Sequence, residues 1–469
     1  MNPPNAKIGW RSAAALVLAN MIGTGAFTTL GLQLEQVSSG LVLLALWAFG
    51  GLVAWCGAVS YAELGTRLPR SGGEAHFLSE IFHPLLGFLS GWVSLTVGFA
   101  AAVALSAMAV GHYLSAWTGW SPVVTAAASI VLLSLAHSFG TKQSSALQNG
   151  LTGVKLFLVL ALGIAAVCLP APETAAVDWS LKRFDSLWSP GAAVAMISVF
   201  YAYSGWNAAA YIVEEIKEPR KNLPRALVGG TLVVSGLFLL LQYGFLRQAG
   251  TAALLGQIDV AQVAAGAMFG PEVGHYVSGL IGVLLLTGIS AMIWVGPRVV
   301  RAMGDRHQLW RSFSKLSRNG MPLRATWLQG GISLFLVFTS SFERVLLYSG
   351  FVLQLFTFLA VAGLLVLRLR SVKTEGYSSP LYPLPQLVFL AFSAWSLVYL
   401  LINQPLESLL GLLNVVAGLI AYYFDVQTSE EDEVVDSEND QGGTMLSPGD
   451  ATTEGRLGEQ GAGAQVQRE

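Results

Sequence analysis

Asn20-Met-Ile-Gly-Thr-Gly25 and Tyr201-Ala-Tyr-Ser-Gly-Trp-Asn207 interrupt two long apolar stretches of the chain. Both segments lie near the middle of their stretch, where Gly23, Gly25 and Gly205 weaken a helix. In lipid, an opened backbone has to be buried in protein or line a wet cavity. There the free N–H groups at the start of a half-helix attract an anion, and free carbonyls at the end of another attract a cation. The two segments therefore predict a binding site for a small molecule that carries both charges.

The composition of the whole chain is that of a membrane protein. Hydrophobic residues make up 54% of its 469 residues and charged residues only 12%, whereas soluble domains carry about 25% charged residues. Such a chain cannot supply the surface of an ordinary cytosolic enzyme. A formal net charge of −2 gives no basic footprint for nucleic acid. Cys56 and Cys168 lie in apolar runs and predict neither a disulfide framework nor a metal site.

Apolar runs long enough to cross a bilayer recur along the chain. We predict an all-α integral membrane protein with about 12 transmembrane helices, because about 20 apolar residues span the hydrocarbon core. These helices are named spans 1 to 12 in chain order. Their expected ranges are 8–34, 41–65, 84–115, 122–138, 151–170, 191–215, 224–247, 274–302, 323–340, 344–369, 384–402 and 406–425.

Positive charge orients these spans, because cytoplasmic loops of membrane proteins are enriched in lysine and arginine. Basic residues concentrate in alternate loops, above all in 217–225 and 298–324. The opposite loops hold only Lys182, Arg183, Arg247 and Arg344. We therefore expect a multi-pass protein of the plasma membrane with both termini in the cytoplasm.

The two ends of the chain differ from the apolar middle. Residues 1–7 form a short cytoplasmic N-terminus. Residues 428–469 form an acidic cytoplasmic tail, which we expect to be disordered because it has too little apolar surface to fold. A solvated tail explains this composition more simply than a segment that docks a partner.

Further motifs surround the two interruptions. Tyr61-Ala-Glu-Leu-Gly65 ends span 2, and Pro69-Arg-Ser-Gly-Gly-Glu74 follows it. A longer run leads from Tyr203-Ser-Gly-Trp-Asn207 through Glu214-Glu215 to Lys221-Asn-Leu-Pro-Arg225. Together with Ile22-Gly-Thr-Gly25, these motifs resemble the amino acid–polyamine–organocation (APC) superfamily. The long run is similar to its L-type amino acid transporter (LAT) branch, and the resemblance covers residues 8–425 in order and spacing.

The resemblance implies a particular fold. It is a five-plus-five inverted repeat, in which residues 8–170 hold spans 1–5 and residues 191–370 hold spans 6–10. Spans 11 and 12, at 384–425, are added to it. Spans 1 and 6 are broken at mid-membrane. A single Gly-x-Gly in a membrane helix is often only a packing surface, but paired breaks at corresponding positions favour a transport site.

By position, the resemblance also implies the residues of a substrate site. Backbone N–H groups of span 1 and the Thr24 hydroxyl would hold the substrate carboxylate, and carbonyls of span 6 would receive its ammonium. One of two adjacent aromatic residues would cover the substrate, and the alignment favours Tyr201. Asn207 would line the pocket below. The candidate substrate-binding residues are Ile22, Gly23, Thr24, Gly25, Phe200, Tyr201, Ala202, Ser204 and Asn207.

Charged residues near the ends of spans have two interpretations each. Lys155, early in span 5, is either a lysine that snorkels to the headgroups or a tether to the broken part of span 1. The resemblance supports the tether, since relatives with a lysine where others hold sodium are sodium-independent. Glu63, Arg67, Glu214 and Glu215 either cap helix ends or form an inner gate of weak ion pairs.

The sequence and the resemblance together imply a secondary transporter. We expect neutral L-amino acids as substrates, because no Asp or Glu lies at the central depth of a span. Transport would be sodium-independent, by exchange or proton-linked, with no cofactor, no metal and no enzymatic activity. The alternatives are a polyamine or cationic amino acid transporter of the same fold, and a membrane enzyme or receptor with a small-ligand pocket.

The loop between spans 3 and 4 bears on the partners of the chain. Residues 115–121 contain no cysteine, whereas animal relatives use a cysteine there to bind a glycoprotein heavy chain. We therefore expect no disulfide-linked heavy-chain partner and a prokaryotic-like member, in a bacterial inner membrane. The sequence leaves the oligomeric state open.

Overall fold

The computed structural model describes residues 8–139, 145–304, 310–317, 320–370 and 376–442. Within these ranges the chain is helical and forms no β-strand. Contacts divide it into two units, Met1–Asp425 and Val426–Glu469.

The spans lie where the apolar runs predict them. Span 1 consists of Trp10–Met21 and Gly25–Gln36, and span 6 of Pro190–Tyr203 and Ala208–Glu215. The others are Gly40–Arg67, Pro84–Thr118, Pro122–Ser138, Ser145–Cys168, Pro219–Leu254, Pro271–Gly304, Leu323–Thr339, Phe342–Leu369, Leu384–Asn403 and Pro405–Asp425. Among the described residues, 9 helices are long and apolar enough to cross a membrane. The predicted all-α fold of about 12 spans, with spans 1 and 6 broken, is confirmed.

Local sequence explains several span starts. Four spans begin directly after a serine whose hydroxyl oxygen accepts a hydrogen bond from the N–H group three residues later, which satisfies one of the free donors of the first turn. These serines are Ser39, Ser121, Ser189 and Ser341.

Two short helices lie between spans and repeat the symmetry of the fold. Glu74–Ile81 precedes span 3, and Val260–Phe269 precedes span 8. They therefore occupy corresponding positions in the two repeats. The sequence does not predict either helix, because neither is long enough to cross a bilayer.

The loop beside each short helix docks on a broken span of the other repeat. Before the first short helix, the Gly72 N–H group donates to the carbonyl of Tyr211 in span 6, at 3.1 Å. Before the second, the Gly256 N–H group donates to the carbonyl of Gly31 in span 1, at 3.0 Å. One half of each broken span is thus bonded to a loop of the opposite repeat.

The acidic end of the chain is helical over part of its length. The backbone after span 12 remains helical through Gly442, which differs from the disordered segment expected from residue 428. Residues 419–441 contain no glycine or proline, the residues that most readily end a helix. Residues 443–469 lie outside the described part, and disorder there stays a prediction.

Candidate functional site

Both breaks are made by residues that leave the helical conformation. The first half of span 1 ends at Met21, Ile22 has a ψ of 78°, and the second half starts at Gly25. In span 6, Gly205 has a φ of +95°, a region that favours glycine. Each break leaves N–H groups at the start of one half-helix and carbonyls at the end of the other outside the regular helical ladder.

The two breaks pack against each other reciprocally. A Cβ atom on Gly25 would lie 2.4 Å from the Cα atom of Ala202, and one on Gly205 would lie 2.9 Å from the carbonyl of Asn20. Ala202 and Asn20 are each the last residue but one of a half-helix. The glycine of each break therefore fits against the end of the helix that precedes the other break, and the two breaks form a single centre.

Thr24 and Tyr201 connect the breaks through their side chains. Their hydroxyl oxygens lie 3.2 Å apart, and Thr24 is 4% exposed. The Tyr201 carbonyl, expected to receive an ammonium group, already accepts a hydrogen bond from the Ser204 N–H group at 3.0 Å. Phe200, the other aromatic candidate, instead packs edge-on against Phe392 of span 11 at 4.9 Å between ring centres. Of the two aromatic candidates, Tyr201 therefore lies at the breaks, whereas Phe200 lies against span 11.

Asn207 has a partner that the sequence does not predict. Its Nδ2 atom donates to Glu74 Oε1 at 2.8 Å, and the Tyr61 hydroxyl donates to the same oxygen at 2.8 Å. A side-chain hydrogen bond also joins Tyr211 to this carboxyl. Burial raises the pKa of Glu74 to about 7, against the opposing effect of these hydrogen bonds. The sequence feature that could have indicated this site is the acidic residue directly after Gly72-Gly73.

A buried ion-pair cluster joins spans 2 and 10. The fully buried Glu63 carboxylate accepts from Arg67 Nε at 2.8 Å and from two nitrogens of Arg368 at 2.8 and 2.6 Å. The Ser379 N–H group, in the segment before span 11, adds a further bond at 2.8 Å. Glu63 and Arg67, four residues apart on span 2, thus form an ion pair, and their role as a gate stays a prediction. Arg368 is not predicted as part of this cluster, because nothing in the sequence brings it near residue 63.

Glu214 and Glu215 do not join this cluster. Both residues are exposed, and it is their backbone that makes contacts. The Glu214 N–H group donates to Ser71 Oγ at 3.2 Å, and the Glu215 carbonyl accepts from the Ile8 N–H group at 3.0 Å. They therefore hold the end of span 6 to the loop after span 2 and to the start of span 1.

Lys155 points into the bundle. It is 7% exposed, and its Nζ atom lies 3.7 Å from the position of a Cβ atom on Gly288 of span 8. No hydrogen bond joins Lys155 to the described part of span 1, so the tether between spans 5 and 1 stays a prediction.

The paired broken helices within an inverted repeat define an integral membrane protein of the APC fold. The chain belongs to the amino acid permease family, whose model matches residues 8–422, and the resemblance stated from the motifs is confirmed. It is 28% identical to the serine/threonine exchanger SteT of Bacillus subtilis (strain 168), over 89% of this chain and 96% of that protein. It is 27% identical to the b(0,+)-type amino acid transporter 1 of Homo sapiens, over 90% and 88% of the two chains. The large neutral amino acids transporter small subunit 2 of Homo sapiens is also 27% identical, over 90% and 80%.

Proposed function

We propose that this chain carries neutral L-amino acids across the plasma membrane by alternating access, as an exchanger or a proton-linked carrier. The main support is the centre formed by the two breaks. There the start of one half-helix, with Thr24, faces the end of another, with Tyr201. N–H groups and carbonyls freed at one place suit the carboxylate and ammonium groups of one amino acid.

The side chains at this centre favour a neutral substrate. Thr24, Tyr201 and Ser204 offer hydroxyl groups, and Ile22 and Ala202 are apolar. A cationic side chain buried in mid-membrane would need a carboxylate partner. Neutral amino acids are therefore the proposed substrates, with arginine, lysine and polyamines poor.

Lys155 supports transport without sodium. Its buried ammonium group lies beside Gly288 of span 8. A fixed positive charge between the spans would take the place of a bound cation, as the family resemblance implies. The proposed cycle therefore uses no sodium ion.

The Glu63 cluster is the proposed inner gate. Its bonds join spans 2 and 10 to the segment before span 11, so separating these elements requires the cluster to break. This end of the bundle would face the cytoplasm, together with both termini. The chain would act without a disulfide-linked heavy chain.

Uptake into proteoliposomes tests the proposal directly. Purified protein would be reconstituted and screened with the twenty amino acids, with and without an amino acid inside the vesicles, and protein-free vesicles as control. We expect saturable uptake of neutral amino acids that persists when choline replaces sodium. Uptake that collapses without sodium, or arginine as the best inhibitor, would contradict the corresponding part of the proposal.

A further inference from the structure

The loop between span 2 and the first short helix is bonded to the second half of span 6 at three points. Two use the backbone of span 6: the Gly72 N–H group donates to the Tyr211 carbonyl, and the Glu214 N–H group donates to Ser71 Oγ. In the third, Asn207, directly before this half-helix, donates to Glu74, the first residue of the short helix. The second half of span 6 therefore cannot move away from this loop without exposing the Glu74 side chain.

The Glu74 carboxyl is buried among neutral donors. It is 4% exposed, and it is bonded by Tyr61 of span 2, by Asn207 and by Tyr211. In the described part of the chain no lysine or arginine forms a salt bridge with it. Burying an ionised carboxylate without a cation is costly, so protonation relieves the cost.

Charged groups on the neighbouring elements have other partners. On the same short helix, His76 faces Glu80 at 3.9 Å. Directly after span 10, Arg370 donates to the carbonyl of Ile81, at the opposite end of that helix, at 2.9 Å. Among the described residues, the titratable groups bonded to the Glu74 carboxyl are the hydroxyls of Tyr61 and Tyr211, whereas the side chain of Glu214, at the edge of the junction, is exposed.

We propose that Glu74 is a proton-binding site that controls the release of the second half of span 6 from the loop at residues 71–74. The inference rests on the proposed transport cycle. Below about pH 7, the carboxyl of the docked form holds its proton. When span 6 moves away, water reaches the group and the proton leaves to solvent. Redocking takes up one proton from the same side, so the exchange balances within each cycle.

The direction of the pH effect follows from linkage. The pKa of Glu74 is raised from 4.5 to about 7 in the docked form by burial, and exposure to water would return it to its ordinary value. A proton therefore favours the docked form. For each unit by which the pH falls between these two values, the ratio of docked to undocked protein rises about tenfold. Outside this pH range the ratio no longer changes with pH.

The first experiment measures exchange of a neutral amino acid in proteoliposomes buffered equally on both sides, from about pH 4.5 to about pH 8. The wild-type rate should fall as the pH drops below about 7. Glu74→Gln keeps the size of the side chain and stays neutral. Its exchange rate should therefore be low and should not change with pH in this window. Glu80→Gln, on the same short helix, should keep the wild-type profile. A Glu74→Gln profile that matches the wild type would overturn the proposal.

The second experiment does not depend on transport. Because the carboxyl has a raised pKa when folded and the ordinary one when unfolded, the wild type should lose Tm relative to Glu74→Gln as the pH rises from 4.5 to about 7. Glu80→Gln should show no such change relative to the wild type. Asn207→Leu removes a hydrogen-bond donor to the ionised carboxylate, so the Tm transition of this variant should lie at higher pH than that of the wild type. This variant provides the test if Glu74→Gln does not fold.

The outcomes separate the two proposals. A Tm transition that depends on Glu74 in a protein that moves no amino acid would refute the proposed function and retain the proton site. Amino acid exchange together with Tm profiles that neither Glu74→Gln nor Asn207→Leu changes would refute the proton site and retain the function.

Discussion

The Thr24 hydroxyl lies 3.2 Å from the Tyr201 hydroxyl, although the residues are 177 positions apart in the chain. Each belongs to a different break, so this contact directly joins the proposed carboxylate side of the centre to its proposed lid. A substrate bound between them would have to replace their mutual hydrogen bond with its own. Thr24 is therefore the most direct point at which to test the site.

Thr24→Val should weaken substrate binding while the protein still folds. The variant keeps the shape and removes the hydroxyl. A hydrogen bond to a charged group contributes about 1.5–3 kcal/mol, so we expect apparent affinity to fall by about 10- to 150-fold. The measurement is KM for exchange in proteoliposomes. Thr125→Val in span 4, whose threonine bonds Thr118 instead, is the matched control, and equal KM values for the two variants would place the carboxylate elsewhere.

Gly25→Ala should damage the fold as well as transport. The added Cβ atom would lie 2.4 Å from the backbone of Ala202, and overpacking of this kind costs about 1–3 kcal/mol or more. Gly229→Ala in span 7 is the control, because no atom lies within 4 Å of its added Cβ atom. We expect a lower Tm in detergent for the first variant and no loss for the second. Unchanged Tm for Gly25→Ala would show that the two breaks do not pack as described.

The sequence predicts the spans and their breaks because both depend on local properties. Apolar runs give span length, and Gly23, Gly25 and Gly205 locate the breaks. Contacts between distant residues are different. Neither Arg368 beside Glu63 nor Glu74 beside Asn207 could be inferred, since each pairing is created by helix packing between segments far apart in the chain. The sequence also does not predict the two short helices, because they are apolar but too short to cross a bilayer.

Arg368→Leu should destabilise the protein through the carboxylate that it leaves behind. An uncompensated buried charge costs about 3–5 kcal/mol, and the remaining bond from Arg67 should offset part of this cost. The Tm of the double variant Glu63→Gln with Arg368→Leu should recover toward the wild type, since the fully buried carboxylate is gone. Lys221→Ala, in an exposed pair with Glu218, should change stability by less than about 1 kcal/mol. Additive effects of the two cluster substitutions would contradict the coupling.

Lys155→Met should sharply lower exchange in a protein that still reconstitutes. Methionine fills much of the same volume without the charge, so loss of activity would report on the ammonium group. Uptake by the wild type should be the same in sodium and in choline. Lys221→Met, which removes an exposed lysine paired with Glu218, is the comparison and should exchange at the wild-type rate. A fully active Lys155→Met would favour the snorkelling explanation.

The reciprocal fit of Gly25 on Ala202 and of Gly205 on Asn20 has a genetic consequence. In both cases the nearest atoms of the facing residue belong to its backbone, so no substitution at Ala202 or Asn20 removes them. A selection for revertants of a larger residue at Gly25 or Gly205 should therefore return glycine at the same position and not a second-site change at the facing residue. The pseudo-symmetry of the fold would then appear in genetics as two positions, one in each half of the chain, that accept only glycine.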